Sequence, residues 1–273
     1  MRTIIAPVNF TPNSQSAAMY AADMASATAA ELLLLHVLQL PVSSAEFPAS
    51  GYVFSEMRDS GEEALQQLQE DLGKRTEGKI KIYHRLEVGG IEAKIEELCR
   101  EKNPFVVVMG TSGHLRGTAG AGNDVTAAIH NLNYPLIIVP QGTVFRWIRK
   151  LVLACDLDDI STGVSMSPIF LKELRDLFHS RLEVINVNTK KQERVVGAVI
   201  DIDMWKSYLH EIFPEVHIVD MDNVQLGVDS FLLEHEADML IVFPKRHNFF
   251  SFHRSQAKQL ALTGTIPIMS IHC

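Results

Sequence analysis

The feature that most constrains the fold is an internal repeat of the chain. Residues 2–10 (RTIIAPVNF) align without gaps on residues 149–157 (RKLVLACDL), and both stretches run from an arginine into apolar residues. Residues 133–139 likewise match residues 265–271, because each stretch carries a proline at its third position followed by an apolar run. A sequence that begins again halfway predicts two related structural units.

The length of the chain agrees with this division. With 273 residues, the chain can hold two domains of ordinary size. We predict domains at residues 1–142 and 147–273, the first with a glycine-rich loop and the second without it. The joint between them is short, which favours two packed domains over units on a flexible linker.

Short apolar runs in both halves predict β strands. Residues 32–35 and 106–108 are apolar at every position, as expected of central parallel strands buried on both faces. Residues 80–86 alternate between apolar and polar side chains, so this third strand is predicted at a sheet edge. The predicted strands are 4–8, 32–38, 80–86, 105–109 and 136–139, then the repeated first strand followed by 182–187, 216–219, 239–243 and 266–271.

The stretches between these runs have helical periodicity. Small residues form one stripe, and larger apolar residues form others: Ala17, Ala18, Ala21, Ala22 and Ala25; Leu65, Leu68 and Leu72; Ile91, Ile95, Leu98 and Cys99; Leu171, Leu174 and Phe178. Strand and helix in regular alternation predict right-handed crossovers. The fold class is therefore α/β, with two tandem doubly wound parallel-sheet domains.

Charge and composition exclude several classes of protein. The net charge of −8 and pI near 5.8 disfavour a broad surface for nucleic acid or anionic membrane. No apolar run approaches the roughly 20 residues that span a bilayer, and the first residues do not read as a secretory signal. Three scattered cysteines, Cys99, Cys155 and Cys273, fit reduced thiols, with the first two acting as small buried hydrophobes. We expect a cytoplasmic protein without nucleic-acid or membrane partners.

The strongest local signal is a glycine-rich stretch that follows an apolar strand. Residues 106–109 run into Gly110 and Gly113, and further glycines follow up to Gly122. Glycine lets the backbone approach a phosphate closely, and loop amides with a helix N-terminus offer donors to an anion. In an open α/β sheet this loop would lie beside residues 7–11, at the carboxyl end of the first strand. The two segments predict one nucleotide pocket.

At these residues the chain resembles the universal stress protein family. Pro7-Val8 match the end of the family's first strand, His36-Val37 match the end of its second, and residues 109–113 match the start of its glycine motif. The resemblance covers nearly the whole chain as a tandem pair. It implies a Rossmann-like, adenine nucleotide α-hydrolase-like fold with five strands per domain in the order 3-2-1-4-5.

The resemblance also implies a binding site for ATP or another adenine nucleotide in the first domain. Val37 would offer backbone groups to adenine, and the glycines would line the ribose and phosphates. Asn9 stands where the family has aspartate, which removes a negative charge and makes tightly held magnesium unexpected. The implied nucleotide-binding residues are Pro7, Val8, Asn9, Val37, Met109, Gly110, Gly113, Gly122, Asn123, Asp124 and Val125.

The second half restores the aspartate as Asp156 but loses the glycines. Aligned by sequence, Pro244 and His247 stand at the places of Gly110 and Gly113, and this loop is not expected to cradle phosphate. The acidic residues at 156–159 are interpreted as helix caps, and His36 as a hydrogen-bonded core or rim histidine. We expect no metal site and no catalytic constellation.

Three functions remain open from the sequence. The first is a binding or regulatory module of the stress response; the second is an interaction scaffold without nucleotide; the third, less favoured, is a weak nucleotide hydrolase. Residues 41–52 are predicted to fold over the first crevice, and the aromatic and basic residues at 245–254 to form a contact surface. Pairing between the domains, and a homodimer through the last strands, are further expectations.

Overall fold

The computed structural model describes residues 2–39, 51–111, 128, 132–154, 168–189, 214–243 and 265–271. They form two compact units that divide between Phe145 and Arg146. The described elements of the first unit are β1 (Thr3–Pro7), α1 (Pro12–Thr28), β2 (Glu31–Leu38), α2 (Gly51–Arg75), β3 (Ile82–Val88), α3 (Ile91–Lys102), β4 (Val106–Thr111) and β5 (Leu136–Pro140). Those of the second are β6 (Lys150–Ala154), α4 (Pro168–Phe178), β7 (Arg181–Asn188), β8 (Glu215–Asp220), α5 (Val224–Glu234), β9 (Met239–Val242) and β10 (Ile268–Ser270).

The strands of each unit pair in parallel. In the first unit they lie in the order β3-β2-β1-β4-β5. In the second they lie in the order β8-β7-β6-β9-β10. β1 and β5 are buried at every position, whereas β3 is largely half-exposed, so its predicted place at the edge is confirmed. The predicted α/β fold with parallel sheets is confirmed.

Helix α1 sits close to the sheet because its inner face is built from small side chains. All five alanines of the predicted stripe are fully buried. Thr11 caps the first turn, Pro12 stands at the first helical position, and Ala29 ends the helix in the left-handed conformation with φ of 52°. The short side chains bring the first turn of α1 against the end of β4.

The internal repeat is visible in the described parts of both units. The bounds of β1 and β6 differ by the same shift as the sequence alignment, and Ala29 and His179 take the same left-handed turn before the next strand. Ile4 pairs with Val106, and its counterpart Leu151 pairs with Met239. Counting along the chain from these pairs places Phe243 at the position of Gly110. The sequence pairing of Gly110 with Pro244 is therefore wrong by one residue.

Aromatic residues at the joint pack within their own units. In the first unit, Phe145 and Tyr20 form a T-shaped pair with ring centroids 5.3 Å apart. In the second, Trp147 meets Phe178 edge to face at 5.8 Å and donates its indole N–H to the Phe178 carbonyl at 2.7 Å. Phe178 is fully buried, so the end of α4 anchors the second unit's core.

Cys99 lies on the inner face of α3 and is fully buried. Burial raises the pKa of its thiol to about 12, so the reactive thiolate is scarce at neutral pH. The predicted role of Cys99 as a small core hydrophobe is confirmed. Cys155 and Cys273 lie outside the described residues.

Candidate functional site

A cavity of about 370 Å³ opens at the carboxyl ends of β1, β2 and β4 in the first unit. This volume is within the range of small-molecule sites, roughly 300–1,000 Å³. Six residues that the sequence marked for nucleotide line it: Pro7, Val8, Asn9, Val37, Met109 and Gly110. The strand ends therefore bring together residues that are far apart in sequence.

The other predicted ligand residues lie outside the described part of the chain. They are Gly113, Gly122, Asn123, Asp124 and Val125. The same holds for the acidic residues at 156–159, for Pro244 and His247, for the surface at 245–254, and for residues 41–50 of the predicted cover at 41–52. The described wall thus contains the strand-end half of the predicted site.

Several lining residues were not singled out by the sequence analysis. They come from the first turn of α1, the end of β2 and the facing helices: Asn13, Ser14, Leu38, Gln39, Met57 and Ile91. The described wall carries no aspartate, glutamate, lysine or arginine. Neutral polar side chains line the cavity wall at α1, and apolar side chains from α2 and α3 line other parts of the wall. This arrangement suits a flat, weakly polar group better than a multiply charged one.

The turn from β1 into α1 is held by a closed set of hydrogen bonds. Asn9 Oδ1 accepts from the Thr11 N–H at 3.3 Å and from the Thr11 hydroxyl at 2.6 Å. Ser14 Oγ accepts from the Asn9 N–H at 3.2 Å and donates to the Thr11 carbonyl at 3.0 Å. The amide oxygen of Asn9 is thus committed to the helix start. No described residue accepts from its Nδ2, which leaves that donor to the cavity.

Replacing Thr11 with alanine is expected to loosen this helix start. Thr11 Oγ1 accepts from the Ser14 N–H at 3.4 Å, and loss of a threonine cap typically costs about 1 kcal/mol. Urea unfolding followed by circular dichroism measures the change, with Thr11→Ser as the control that keeps the hydroxyl. Equal stabilities of the alanine and serine variants would contradict the capping role.

His36 is fixed against the end of β1. Its Nδ1–H donates to the Val8 carbonyl at 2.8 Å, which specifies the ring tautomer because a carbonyl oxygen only accepts. The ring packs on Phe10 with centroids 4.7 Å apart, and Phe10 takes a left-handed backbone with φ of 60°. The prediction that His36 is a hydrogen-bonded histidine of the core or rim is confirmed. A bulky residue at positive φ marks this turn as tightly determined by its surroundings.

Val37 presents its main chain to the cavity. The Val8 N–H donates to the Leu35 carbonyl on the β1 side, whereas the Gly89 N–H donates to the Leu38 carbonyl on the β3 side. Since successive residues of a central strand bond to opposite neighbours, the N–H and C=O of Val37 face the same side as those of Leu35. Pairing of β1 with β2 ends at Leu35. The donor and acceptor of Val37 therefore point into the space beyond the end of β1.

Gly110 allows β4 to touch the first turn of α1. A Cβ at this position would lie 2.1 Å from the carbonyl oxygen of Asn13 and 3.2 Å from the Cβ of Ala17. Packing alone therefore requires glycine here, whatever the cavity binds. At the equivalent place in the second unit, Phe243 is buried. A large side chain therefore stands in the second unit at the place where the first unit has no Cβ.

Comparison with known proteins supplies a family model and several solved structures. The model described as the Universal stress protein family matches residues 1–140. No curated protein matches the chain. No helix in the described part of the chain has the length and apolar content needed to cross a membrane.

Solved structures match this chain over its full length. A universal stress protein from Archaeoglobus fulgidus is 15% identical with a TM-score of 0.75, covering 99% of this chain and 98% of that one. A functionally unknown protein from Pseudomonas aeruginosa is 12% identical with a TM-score of 0.57, covering 100% of this chain and 92% of that one. A universal stress protein in complex with cAMP is 19% identical with a TM-score of 0.38, covering 52% of this chain and 98% of that one. The full-length matches share the fold of this chain.

Proposed function

This chain belongs to the universal stress protein family, and we propose that its first unit binds an adenine nucleotide as a regulatory module. The observation that carries the proposal is the Val37 main chain at the rim of the cavity. One residue there offers a donor and an acceptor side by side, beyond the end of β1. The edge of an adenine base carries the complementary amino donor and ring-nitrogen acceptor.

The remaining parts of the nucleotide are proposed to follow the strand ends toward β4. Met109 and Gly110 line the ribose side, and the Asn9 Nδ2–H offers a donor. The glycine-rich residues Gly113 and Gly122 with Asn123, Asp124 and Val125 are proposed to hold the phosphates through backbone amides. The described wall lacks carboxylates, so nucleotide binding without tightly held magnesium is proposed.

A regulatory role is favoured over hydrolysis because the described wall holds no catalytic constellation. His36 Nδ1 is occupied by the Val8 carbonyl, and no carboxylate orients the ring from the cavity wall. General acid–base chemistry needs a positioned group within hydrogen-bond reach of the reacting atom. We further propose the cytoplasm as the compartment, in keeping with the free, buried Cys99.

The test is calorimetric titration of the full chain with ATP, ADP and AMP, alongside mass spectrometry of small molecules released on denaturation. Asn13→Trp places a bulky ring at the cavity wall and is expected to weaken binding tenfold or more, about 1.4 kcal/mol. Met19→Trp is the matched control, because Met19 lies on the same helix and its side chain is 38% exposed.

The outcomes separate the candidate functions. Binding by the wild type and the Met19 variant, with loss in the Asn13 variant, supports the proposal. No binding by the wild type contradicts the proposal and favours an interaction scaffold. In a scaffold, Gly110 would be explained by its close packing and Asn9 by its hydrogen bonds at the helix start. Equal binding by all three proteins places the nucleotide elsewhere and also overturns the proposal.

A further inference from the structure

A group of titratable side chains lies in the second unit, on the sheet face covered by α5. Glu183 is in β7, His217 is in β8, and His235 follows the last turn of α5. Register pairs Glu183 with Glu215 and Ile185 with His217, so Glu183 and His217 are diagonal neighbours on one face. α5 crosses this face and carries His235 to Glu183. Three separate elements thus converge on one point.

The ligand atoms of these side chains are close together. His235 Nδ1 is 2.7 Å from Glu183 Oε2, and His217 Nε2 is 3.6 Å from the same oxygen. One ligand atom from each of the three residues lies within 4.8 Å of the other two. Around a tetrahedral ion with bonds of about 2.0–2.1 Å, neighbouring ligand atoms are about 3.3 Å apart. The observed separations bracket this value.

The cluster leaves one of its atoms unsatisfied. His217 Nε2 is buried and has no hydrogen-bond partner, although its ring is packed tightly against Phe231 and His235 with centroids 4.9 Å away in each case. Buried polar atoms in native proteins nearly always have a partner, and an exception calls for one. Glu183 Oε2, at 3.6 Å, is too far away for a hydrogen bond to Nε2, and a cation between the two atoms would be attractive to both.

The charges around the cluster can accommodate a cation. Glu183 is buried, and Lys150 Nζ lies 3.5 Å from its other oxygen, Oε1, while also donating to the His235 carbonyl. Lys150 therefore holds the carboxylate from behind and leaves Oε2 to the histidines. Glu215 adds an exposed carboxylate 3.8 Å from His217 Nε2. With neutral histidines, the two glutamates and the lysine leave one net negative charge.

We propose that Glu183, His217 and His235 form a binding site for a divalent transition-metal ion of the zinc class. Two imidazoles and one carboxylate suit such an ion, and Glu215 or water completes the coordination. Lys150 acts on the Glu183 carboxylate and orients it for the ion, as groups behind metal ligands commonly do. Binding moves the His235 ring proton from Nδ1 to Nε2, so that the Nδ1 lone pair becomes free.

The proposal is tested with zinc chloride on the full-length chain, first freed of metal by a chelator. We expect one high-affinity zinc per chain in calorimetry, and cobalt substituted for zinc should give the visible absorption of a tetrahedral or five-coordinate centre. His217→Gln and His235→Gln should each weaken zinc binding by ~10-fold to 100-fold or more. Losses of this size are seen even for residues that only hydrogen-bond to metal ligands. His84→Gln is the matched control, because His84 contacts Glu62 at 2.9 Å without a second histidine.

Circular dichroism of the metal-free proteins separates lost ligation from lost folding. Should His217→Gln unfold, Glu183→Asp, which keeps the charge and shortens the side chain, supplies the second variant, with the cobalt spectrum as its readout. Zinc affinity and cobalt spectra that are the same in the wild type and the folded variants overturn the proposal. Absence of stoichiometric zinc binding by the wild type overturns it equally.

Discussion

Gly110→Ala is expected to destabilise the first unit by about 3 kcal/mol, at the upper end of what overpacking usually costs. The added Cβ would lie 2.1 Å from the Asn13 carbonyl oxygen and 2.6 Å from its carbon. Both atoms belong to the backbone, so no side chain can rotate to relieve the contact. The first turn of α1 must move away from β4, and the hydrogen bonds that link Asn9, Thr11 and Ser14 move with it. We expect the shape of the cavity to change as the first unit is destabilised.

Hydrogen exchange read by mass spectrometry measures this change separately for each unit, and peptides from α1 and β4 should lose protection. Gly73→Ala is the control, since nothing lies within 4 Å of a Cβ at that position in α2. Alanine is favoured over glycine in helices by up to about 1 kcal/mol, so this variant should match or exceed the wild type. Full protection of α1 in the Gly110 variant would contradict the close contact.

Phe178→Ala is expected to destabilise the second unit by about 3–5 kcal/mol, the usual cost of emptying a buried phenylalanine site. Phe178 is fully buried and packs against the Trp147 ring in a T-shaped arrangement. Truncation removes that ring contact and leaves a void at the end of α4. The indole hydrogen bond to the Phe178 carbonyl loses its packing support.

Urea unfolding followed by the fluorescence of Trp147 measures the loss, in a Trp205→Phe background that leaves Trp147 as the only tryptophan. Leu233→Ala, at a side chain that is 83% exposed, is the control and should stay within about 0.5 kcal/mol of the parent. A Phe178 variant as stable as the Leu233 variant would show that α4 does not anchor this core.

The parts of the fold that could be predicted are those set by local pattern. Strands buried on both faces read as unbroken apolar runs, and the alanine stripe of α1 marked a helix lying close to the sheet. Because the stretches that form β1 and β6 resemble one another, the division of the chain into two units was visible in the sequence as well. The residue of the second unit that corresponds to Gly110 could not be identified this way. Shifting the alignment of β4 and β9 by one residue still matches apolar residues with apolar residues.

The candidate site was predictable only where motif residues lie at strand ends. Asn13 and Ser14 carry no signal beyond that of a helix start, and Met57 and Ile91 reach the cavity through the packing of helices. The cluster at Glu183 escaped the sequence analysis for the same reason: its histidines are on different elements and share no short spacing. The placements of Gly113 and of Gly122 with its successors stay predictions.

The replacement of Gly110 by Phe243 in the second unit determines the stoichiometry of the proposed nucleotide binding. If the pocket requires the close contact that Gly110 allows between β4 and α1, the chain has one nucleotide-binding site. Binding then saturates at one nucleotide per chain. The isotherm is then a simple hyperbola, without cooperativity inside the molecule. A switch built on such a chain responds in proportion to nucleotide concentration around its dissociation constant, and any sharper threshold must be generated between chains.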